Sequence, residues 1–479
     1  FDSKYYDPSK EAVLDPSTGF IISTGDRFNG IVIPGEGWPD SAQGRVDLAS
    51  DSSFDYLFRG GAEPKYYSKM HYANFQPRVG LAYSFNDRTV FRAGVGRFFA
   101  RPGVPDNIFL GGNPPLQPYA SVSTGRADSP AGGTAAEFPF FFMTIDPEYK
   151  VPSAWNWNAS IERQIGFNTT ISVGYVGRVG LHLERERNLN ALQPGTLQAA
   201  RAEAGRSVDA NFLRPYKGFN VIALGEMAAR SEYNGLQLEV NRRFSSGLSY
   251  GFAYTYSKSF DNASGRRDRI WNPFDDTNYW GPSGFDTRHI AVINFIYDLP
   301  FFRDKSTLKG KLLGGWQVSG VTQFQTGQPF TVTTGEDFAG IGSGDESQPW
   351  QVNGDPVLPR GERKFADSGS DPSFWFSPVG SDGSPIFTPP AAGTFSNQTR
   401  NQWYGAGFQS WNLALFKDFA ITESQTLQFR SEFYNWPNHP NWGSSGTNTV
   451  DTNPRNATFG KITQKNSERQ LQLSLRYSF

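Results

Sequence analysis

The sequence contains no cysteine and only four histidines among 479 residues. The lack of cysteine excludes disulfide frameworks, thiolate zinc sites, iron–sulfur clusters and cysteine nucleophiles. Four histidines leave few ligands for a metal, and we expect neither a metal nor a cofactor. Lysine and arginine total 45 against 46 aspartate and glutamate residues, so the basic excess that binds nucleic acid is missing. We therefore expect no nucleic-acid partner.

Long apolar runs are also missing. The stretch from Ile290 to Tyr297 is one of the longest, whereas a transmembrane helix needs about 20 such residues. No apolar signal segment follows Phe1, and we expect one to be absent or already removed. The 15% aromatic content argues against disorder, and the 51 glycines and 32 prolines argue against a helical fold. These features favour an all-β protein and are compatible with a membrane β-barrel, whose strands alternate in polarity.

Strict alternation of apolar and polar residues is the dominant pattern in the sequence. It predicts eleven strands, several with the roughly 9–11 residues that a tilted strand needs to cross a bilayer. The predicted strands are residues 78–85, 89–99, 155–165, 169–181, 233–244, 248–258, 287–299, 313–327, 409–419, 425–436 and 469–479. Their polar faces carry many small neutral residues, which suit the interior of a barrel.

The connections between these strands alternate between short and long. The long ones are predicted at residues 100–154, 182–232, 259–286, 328–408 and 437–468. Short turns at one end and long loops at the other are typical of outer-membrane barrels, with the turns in the periplasm. The pattern predicts an extracellular loop region at 1–77 and a barrel portion at 78–479. We also expect short strands inside the loops, for example from Ala457 to Thr463.

The number of strands has a consequence for the chain as a whole. With short turns in the periplasm, residues 1–77 would lie outside the cell and the last strand would end inside. Bacterial barrels have an even number of strands, and an open sheet leaves two unpaired edges in hydrocarbon. We therefore expect this chain to be the C-terminal part of a longer one.

Ten segments spread along most of the chain resemble one family. They are 74–83 (NFQPRVGLAY), 89–98 (TVFRAGVGRF), 111–115 (GGNPP), 231–239 (SEYNGLQLE), 254–259 (YTYSKS), 314–318 (GGWQV), 325–330 (QTGQPF), 430–440 (RSEFYNWPNHP), 459–462 (FGKI) and 469–479 (RQLQLSLRYSF). In this order they resemble the barrel of TonB-dependent outer-membrane receptors, specifically the Oar-like group.

The resemblance implies a barrel of about 22 antiparallel strands in the bacterial outer membrane, of which about 11 are present. It also implies an N-terminal plug, a TonB box and often a carboxypeptidase-regulatory-like domain, none of which is found in these residues. The implied function is ligand capture by extracellular loops and passage past a plug that TonB moves, with import or export left open. Besides membrane lipid and the TonB system, the barrel-assembly machinery is an implied partner through the C-terminal strand. Its assembly signal would consist of Leu471, Leu473, Leu475, Tyr477 and Phe479.

Two groups of residues are candidates for ligand contact. Charged side chains on polar strand faces would line the lumen, because a charge on the lipid face costs about 2–4 kcal/mol at mid-bilayer for arginine or lysine. These candidates are Glu162, Glu239, Arg430 and Glu432. Aromatic and acidic residues in the loop at 259–286 would contact a sugar or peptide, and they are Trp271, Asp275, Asp276 and Trp280. Arg163 and Lys417 interrupt apolar faces and must therefore lie near a membrane interface.

Two other functions fit parts of the pattern. A surface adhesion or structural β-protein would use its long loops to bind partners and would transport nothing. A soluble β-sandwich or jelly roll acting as a polysaccharide hydrolase would need a cleft with paired carboxylates, and the sequence singles out no such pair. The transport function implies that the chain is not an enzyme.

Overall fold

One large antiparallel sheet dominates the computed structural model. The structure describes residues 1–23, 25–45, 47–63, 71–100, 109–114, 121–123, 128, 134–136, 139–148, 150–302, 307–342, 347–366, 370–442 and 450–479. Eleven long strands follow one another in the sheet in chain order. They are β1 Arg78–Asn86, β2 Thr89–Phe99, β3 Ser153–Gly166, β4 Thr169–Asn188, β5 Phe219–Ser245, β6 Leu248–Asp261, β7 His289–Asp298, β8 Trp316–Gln325, β9 Phe408–Ala420, β10 Thr426–Tyr434 and β11 Gln470–Ser478. All eleven predicted strands are present, and the all-β prediction is confirmed.

Tight turns join several of these strands at one end of the sheet. Between β3 and β4, both Phe167 and Asn168 have positive φ angles, of 48° and 54°. Ser246 and Gly247 do the same between β5 and β6, at 54° and 79°. Two consecutive positive φ angles give the turn geometry that matches the right-handed twist of a hairpin.

The long connections contain short strands and helices. Phe140–Ile145 pairs parallel with β5 and Gly281–Pro282 pairs with β6, which brings the sheet to 13 strands. The other strands are Val13–Leu14, Ile21–Ser23, Ser121–Ser123, Thr134–Ala136, Pro329–Phe330, Gln351–Val352, Phe387–Thr388 and Trp403–Tyr404. The α-helices of the described residues are α1 Thr196–Ala204, α2 Ala210–Leu213 and α3 Leu308–Leu313, besides short 3₁₀ segments. Within the described ranges, no helix has both the length and the apolar character needed to cross a membrane.

The hairpin of β4 and β5 is longer than predicted. β4 continues to Asn188 and β5 begins at Phe219, so much of the predicted loop at 182–232 is strand. The pairing shifts register near His182, whose φ is 55°, and again between Glu226 and Ala229. Such bulges break the two-residue period, which hid this extension in the sequence pattern.

The strand expected from Ala457 to Thr463 is wrong. Residues 457–460 form turns instead. The carboxylate of Asp451 accepts hydrogen bonds from the side chains of Asn456 and Thr458, and the backbone N–H of Gly460 donates to the Asp451 carbonyl. Local side-chain bonds of this kind compete with strand pairing. Parts of the predicted loops at 100–154, 328–408 and 437–468, and of the region 1–77, lie outside the described residues.

The buried core of the described chain lies in the long connections. All four clusters of buried apolar side chains are found there or in the strand extensions beside them. The largest contains Phe330, Val332, Trp350, Phe376, Ile386, Phe387, Trp403, Ala406, Val450 and Ile462. The described parts of residues 1–63 pack at the same end, where the Phe1 ring lies 5.3 Å from that of Phe219. These residues and the described parts of the five long connections form the loop cap.

The sheet is open. β1 and β11 are its two ends, and each pairs along only one edge among the described residues. Because all eleven strands are antiparallel to their neighbours, β1 and β11 run in the same direction. Closing the sheet with antiparallel pairs therefore requires an odd number of further strands.

Candidate functional site

One face of the sheet is apolar along its whole width. Paired residues in neighbouring strands share a face, so the registers trace continuous rows. One row runs through Tyr83, Phe91, Ile161, Val173, Leu238, Tyr254, Ala291 and Phe324, and another through Phe295, Gly320, Leu413, Phe433 and Leu471. Several of these side chains are open to the surroundings; Leu471, for example, is 57% exposed. An apolar face of this extent suits lipid rather than water.

The opposite face carries all four predicted lumen residues. Glu162 of β3 and Glu239 of β5 both pair with Ser172 of β4. The two glutamates therefore lie in one row, with β4 between their strands. Arg430 and Glu432 alternate along β10, five strands from β5. The structure therefore forms two separate groups from these residues. Their exposure to a lumen stays a prediction.

Each group has polar neighbours on its face. Glu162 Oε2 lies 3.6 Å from Arg92 Nη1. Arg430 Nε donates to Gln428 Oε1 at 2.7 Å, and its guanidinium carbon lies 5.1 Å from the centre of the Phe416 ring. Glu432 borders a cavity of about 390 Å³ whose lining also includes Ser249, Asn294, Ser319 and Asn412. This face can therefore offer hydrogen bonds to a polar solute.

Arg163 and Lys417, the two predicted interruptions of the apolar face, lie at the short-turn ends of their strands. Arg163 pairs with Thr89, the first residue of β2. Lys417 pairs with Trp316, the first residue of β8, and its Nζ donates to the Gly314 carbonyl. Both positions allow a long side chain to reach the membrane surface. This agrees with the expectation that a charge on the apolar face lies near an interface.

The four predicted loop contacts lie in one segment but have different surroundings. The Trp271 side chain is buried, with its ring centre 4.4 Å from that of Tyr279. Asp276 Oδ2 accepts a hydrogen bond from Arg185 Nη1 at 2.5 Å. The Trp280 ring lies under the guanidinium of Arg230, 5.5 Å away.

Asp275 lies two residues before Thr277, the first residue of the short 3₁₀ turn Thr277–Tyr279. Its Oδ1 accepts hydrogen bonds from the hydroxyl of Thr277 and, at 2.9 Å, from the Thr277 backbone N–H. These two bonds hold the pKa of the Asp275 carboxyl below its ordinary value. Contact of these four loop residues with a ligand stays a prediction.

A buried network of charges at the base of the loop cap was not predicted. Arg185 Nε donates to Glu226 Oε1 at 2.7 Å, and Arg187 donates to both oxygens of the same carboxylate at 3.0 Å. Glu186 accepts from Arg267 Nε at 2.6 Å and from Arg269 Nη2 at 2.9 Å. The alternating charges of residues 184–187 form a period-two pattern inside the predicted loop at 182–232.

A cavity of about 530 Å³ adjoins this network. It is lined by Glu186, Arg267, Asp268, Arg269, Trp271, Tyr279, Thr333 and Ser347. Guanidinium, carboxylate and hydroxyl groups together with aromatic rings suit polar ligands such as sugars or peptides. Of the predicted loop contacts, only Trp271 borders this cavity. Among the described residues, no group of three or more histidine, aspartate or glutamate side chains is arranged to hold a metal ion.

Buried polar contacts fasten the connection at 328–408 to the one at 259–286. Arg400 is paired with the Asp261 carboxylate and also donates to the Tyr279 carbonyl at 3.2 Å and to Ser264 Oγ at 3.1 Å. Burial lowers the pKa of Arg400 to about 10. Tyr404 donates to Asp286 Oδ2 at 2.7 Å, and burial, with this hydrogen bond, raises the tyrosine pKa. The cap is therefore tied together by charged groups as well as apolar packing.

The sequence matches one family model and no curated protein. The model describes an outer membrane beta barrel domain and matches residues 4–472. No curated protein sequence matches the chain.

Several solved structures are similar in fold. The outer membrane transporter YddB from Escherichia coli has 10% identity and a TM-score of 0.40, with 82% of this chain and 39% of that one covered. A variant of the ferric enterobactin receptor PfeA from Pseudomonas aeruginosa has 12% identity and a TM-score of 0.39, covering 84% and 40%. The siderophore receptor PirA from Acinetobacter baumannii has 11% identity and a TM-score of 0.39, covering 84% and 41%. The present chain thus spans about two fifths of the length of these proteins.

Proposed function

The chain belongs to the outer membrane β-barrel domain family, and from that premise we propose that it is part of a receptor and transporter of the TonB-dependent type. The loop cap binds a ligand outside the cell. The polar face of the sheet lines the route by which the ligand crosses the outer membrane. The energised step is assigned to a plug and a TonB contact outside these residues, and that assignment depends on the family resemblance.

The observation that carries this proposal is the position of the folded core. The described buried clusters lie in the loop cap, at the end of the sheet opposite the tight turns. A barrel that only spanned the membrane would need no more than short connections. Ordering long connections costs conformational entropy, so another function is expected for them. Apolar packing in the loop cap offsets this entropy cost. The polar cavity of about 530 Å³ gives the ordered loops a binding site.

The cap also provides fixed donors and acceptors. Arg267 and Arg269 are held by the Glu186 carboxylate, which is itself almost fully buried. Arginines held in one orientation lose little entropy when a ligand arrives, which favours selective binding. The chemistry of the cavity fits a solute with several hydroxyl, carboxylate or amide groups.

Solute depletion tests the transport proposal. Cells with and without the intact gene are grown in a defined mixture of oligosaccharides, oligopeptides and ferric chelates, with and without a protonophore. We expect at least one solute to be depleted only by energised cells that carry the gene. Equal depletion by both strains under all conditions would contradict the proposal.

A surface adhesion role is the second candidate, and the size of the loop cap favours it. The cap presents Phe20, Tyr56 and Phe274 with 37–43% exposure, and such side chains can contact another surface. The same two strains distinguish the roles. Loss of cell attachment with unchanged solute depletion would favour adhesion, whereas loss of depletion alone would favour transport.

A further inference from the structure

The connection between β7 and β8 differs from the tight turns at its end of the sheet. Residues 299–315 form it, and they include the helix α3. Five large apolar side chains of this connection are more than half exposed. They are Phe301 at 62%, Phe302 at 53%, Leu308 at 73%, Leu312 at 51% and Leu313 at 53%. Clustered exposure of this kind marks a surface that is covered by another molecule.

The connection folds towards the apolar face of the sheet. Lys417 projects from that face, and its Nζ donates to the carbonyl of Gly314. Gly314 also packs closely on Phe302, since a Cβ built on this glycine would lie 2.0 Å from the Phe302 carbonyl oxygen. Gly314 is therefore held to Lys417, with Phe302 packed against it.

The neighbouring strands extend the apolar surface. Trp316, which opens β8, is paired with Lys417, and its ring centre lies 6.1 Å from that of Phe429 on the same face. The exposed side chains of residues 299–315 thus continue the band that faces lipid. A membrane is the partner most consistent with this continuity.

The charge of the connection indicates which lipids it contacts. Residues 299–315 contain Arg303, Lys305, Lys309 and Lys311 but only one acidic residue, Asp304. The side chains of Lys309 and Lys311 are exposed within the apolar cluster around α3. Basic residues that alternate with exposed apolar ones are typical of segments lying on anionic membrane surfaces.

We propose that the described parts of this connection, residues 299–302 and 307–315, dock on the anionic phospholipid surface of the membrane leaflet at the short-turn end of the sheet. Phenylalanine and leucine side chains enter the boundary between headgroups and acyl chains, while Lys309 and Lys311 contact phosphate groups. The contact fixes the depth of this side of the sheet in the bilayer. This inference goes beyond the transport proposal and does not depend on it.

These 479 residues contain no cysteine, so single labels can be introduced once any cysteine outside them is replaced by serine. Leu312→Cys in the intact native protein is labelled with an environment-sensitive fluorophore and reconstituted in vesicles. The vesicles contain either phosphatidylglycerol or phosphatidylcholine with brominated chains, which quench the fluorophore on contact. Ser424→Cys is the matched control, because Ser424 lies in the exposed turn between β9 and β10 at the same end.

We expect strong quenching at position 312 in phosphatidylglycerol, weaker quenching in phosphatidylcholine and little quenching at position 424. Lys309→Gln and Lys311→Gln should each lower the ratio of docked to undocked segment by about fivefold in phosphatidylglycerol. Leu308→Cys provides a second labelling site if Leu312→Cys does not fold, as judged by its β-sheet circular dichroism.

Three results would overturn the proposal. One is equal quenching at positions 312 and 424. Another is quenching that is unchanged when both lysines are replaced. The third is an unquenched label that becomes protected only when a protein partner is added, which would assign the surface to protein docking. None of these results depends on solute uptake, so failure here and failure of the transport proposal are distinguishable.

Discussion

Arg185 of β4 and Glu226 of β5 face each other in register, with 2.7 Å between Nε and Oε1. The arginine is 2% exposed, and the carboxylate also accepts hydrogen bonds from Arg187. The pair lies where the sheet passes into the loop cap. It therefore links the orientation of the cap to the strands that support it.

Glu226→Gln should destabilise the cap strongly, because it leaves two arginines without their buried carboxylate. Breaking a buried ion pair costs about 3–5 kcal/mol. Hydrogen exchange of the β4–β5 extension in the detergent-purified protein would measure the change. Glu232→Gln is the control, since Glu232 and Arg230 form a pair 3.7 Å apart with both side chains about half exposed. Loss of such an exposed pair costs roughly 1 kcal/mol or less. Equal protection in the two variants would refute a structural role for Glu226.

Arg400→Gln should release the connection at 328–408 from the one at 259–286. The substitution removes the partner of the buried Asp261 carboxylate and the bonds to Tyr279 and Ser264. We expect limited proteolysis within 328–408 to accelerate by about a hundredfold, equivalent to roughly 3 kcal/mol of lost stability. Arg455→Gln is the comparison, because the Arg455–Glu336 pair is much more exposed. Unchanged cleavage of the Arg400 variant would show that apolar packing alone holds these connections.

Leu473→Arg and Gln472→Arg separate the two faces of β11. Position 473 belongs to the apolar face, and position 472, which pairs with Glu432, belongs to the polar face. An arginine facing lipid at mid-bilayer costs about 2–4 kcal/mol, whereas one facing a lumen costs little. Equilibrium folding into lipid vesicles should therefore be weakened only by Leu473→Arg. Similar losses for both variants would mean that the faces are not divided in this way.

The hydrogen bonds between Asp275 and Thr277 should weaken in acid. The folded pKa of Asp275 is lowered by the hydroxyl and backbone N–H of Thr277, so the hydrogen bonds favour the carboxylate. Their contribution is complete above the ordinary pKa of 3.8 and is lost as the pH falls through the lower folded value. The amide shift of Thr277 in an NMR titration should have its midpoint below 3.8, and Asp275→Asn should abolish this titration. A midpoint at or above 3.8 would contradict the assigned hydrogen bonds.

Most of the sheet could be predicted from sequence because alternation reports which side of a strand is apolar. In β11, for example, Leu471, Leu473 and Leu475 alternate with polar residues along the strand. The ends of β4 and β5 could not be predicted, because the shift near His182 breaks this period. The expected strand at Ala457 failed because Asp451 stabilises turns there.

The candidate sites could be predicted from sequence only in part. Strand parity placed Glu162 and Glu432 on one face without any knowledge of contacts. The pairing of Arg185 with Glu226 depends on a register between residues 41 positions apart, which a single sequence does not reveal. The contact of Trp271 with a ligand stays a prediction, whereas the packing of its ring against Tyr279 could not be foreseen from sequence. Loop structure of this kind depends on tertiary packing rather than on local periodicity.

Accessibility along β11 tests the central claim most directly. Single cysteines at 471–478 would carry spin labels one at a time in lipid vesicles, in native protein whose cysteines outside these 479 residues, if any, are replaced by serine. The account predicts that labels at 471, 473, 475 and 477 are relaxed by oxygen dissolved in lipid. Labels at 472, 474, 476 and 478 should instead be relaxed by a water-soluble nickel complex. Uniform exposure of all eight positions to the nickel complex would contradict a membrane-spanning sheet with one face in lipid and the other lining a polar interior.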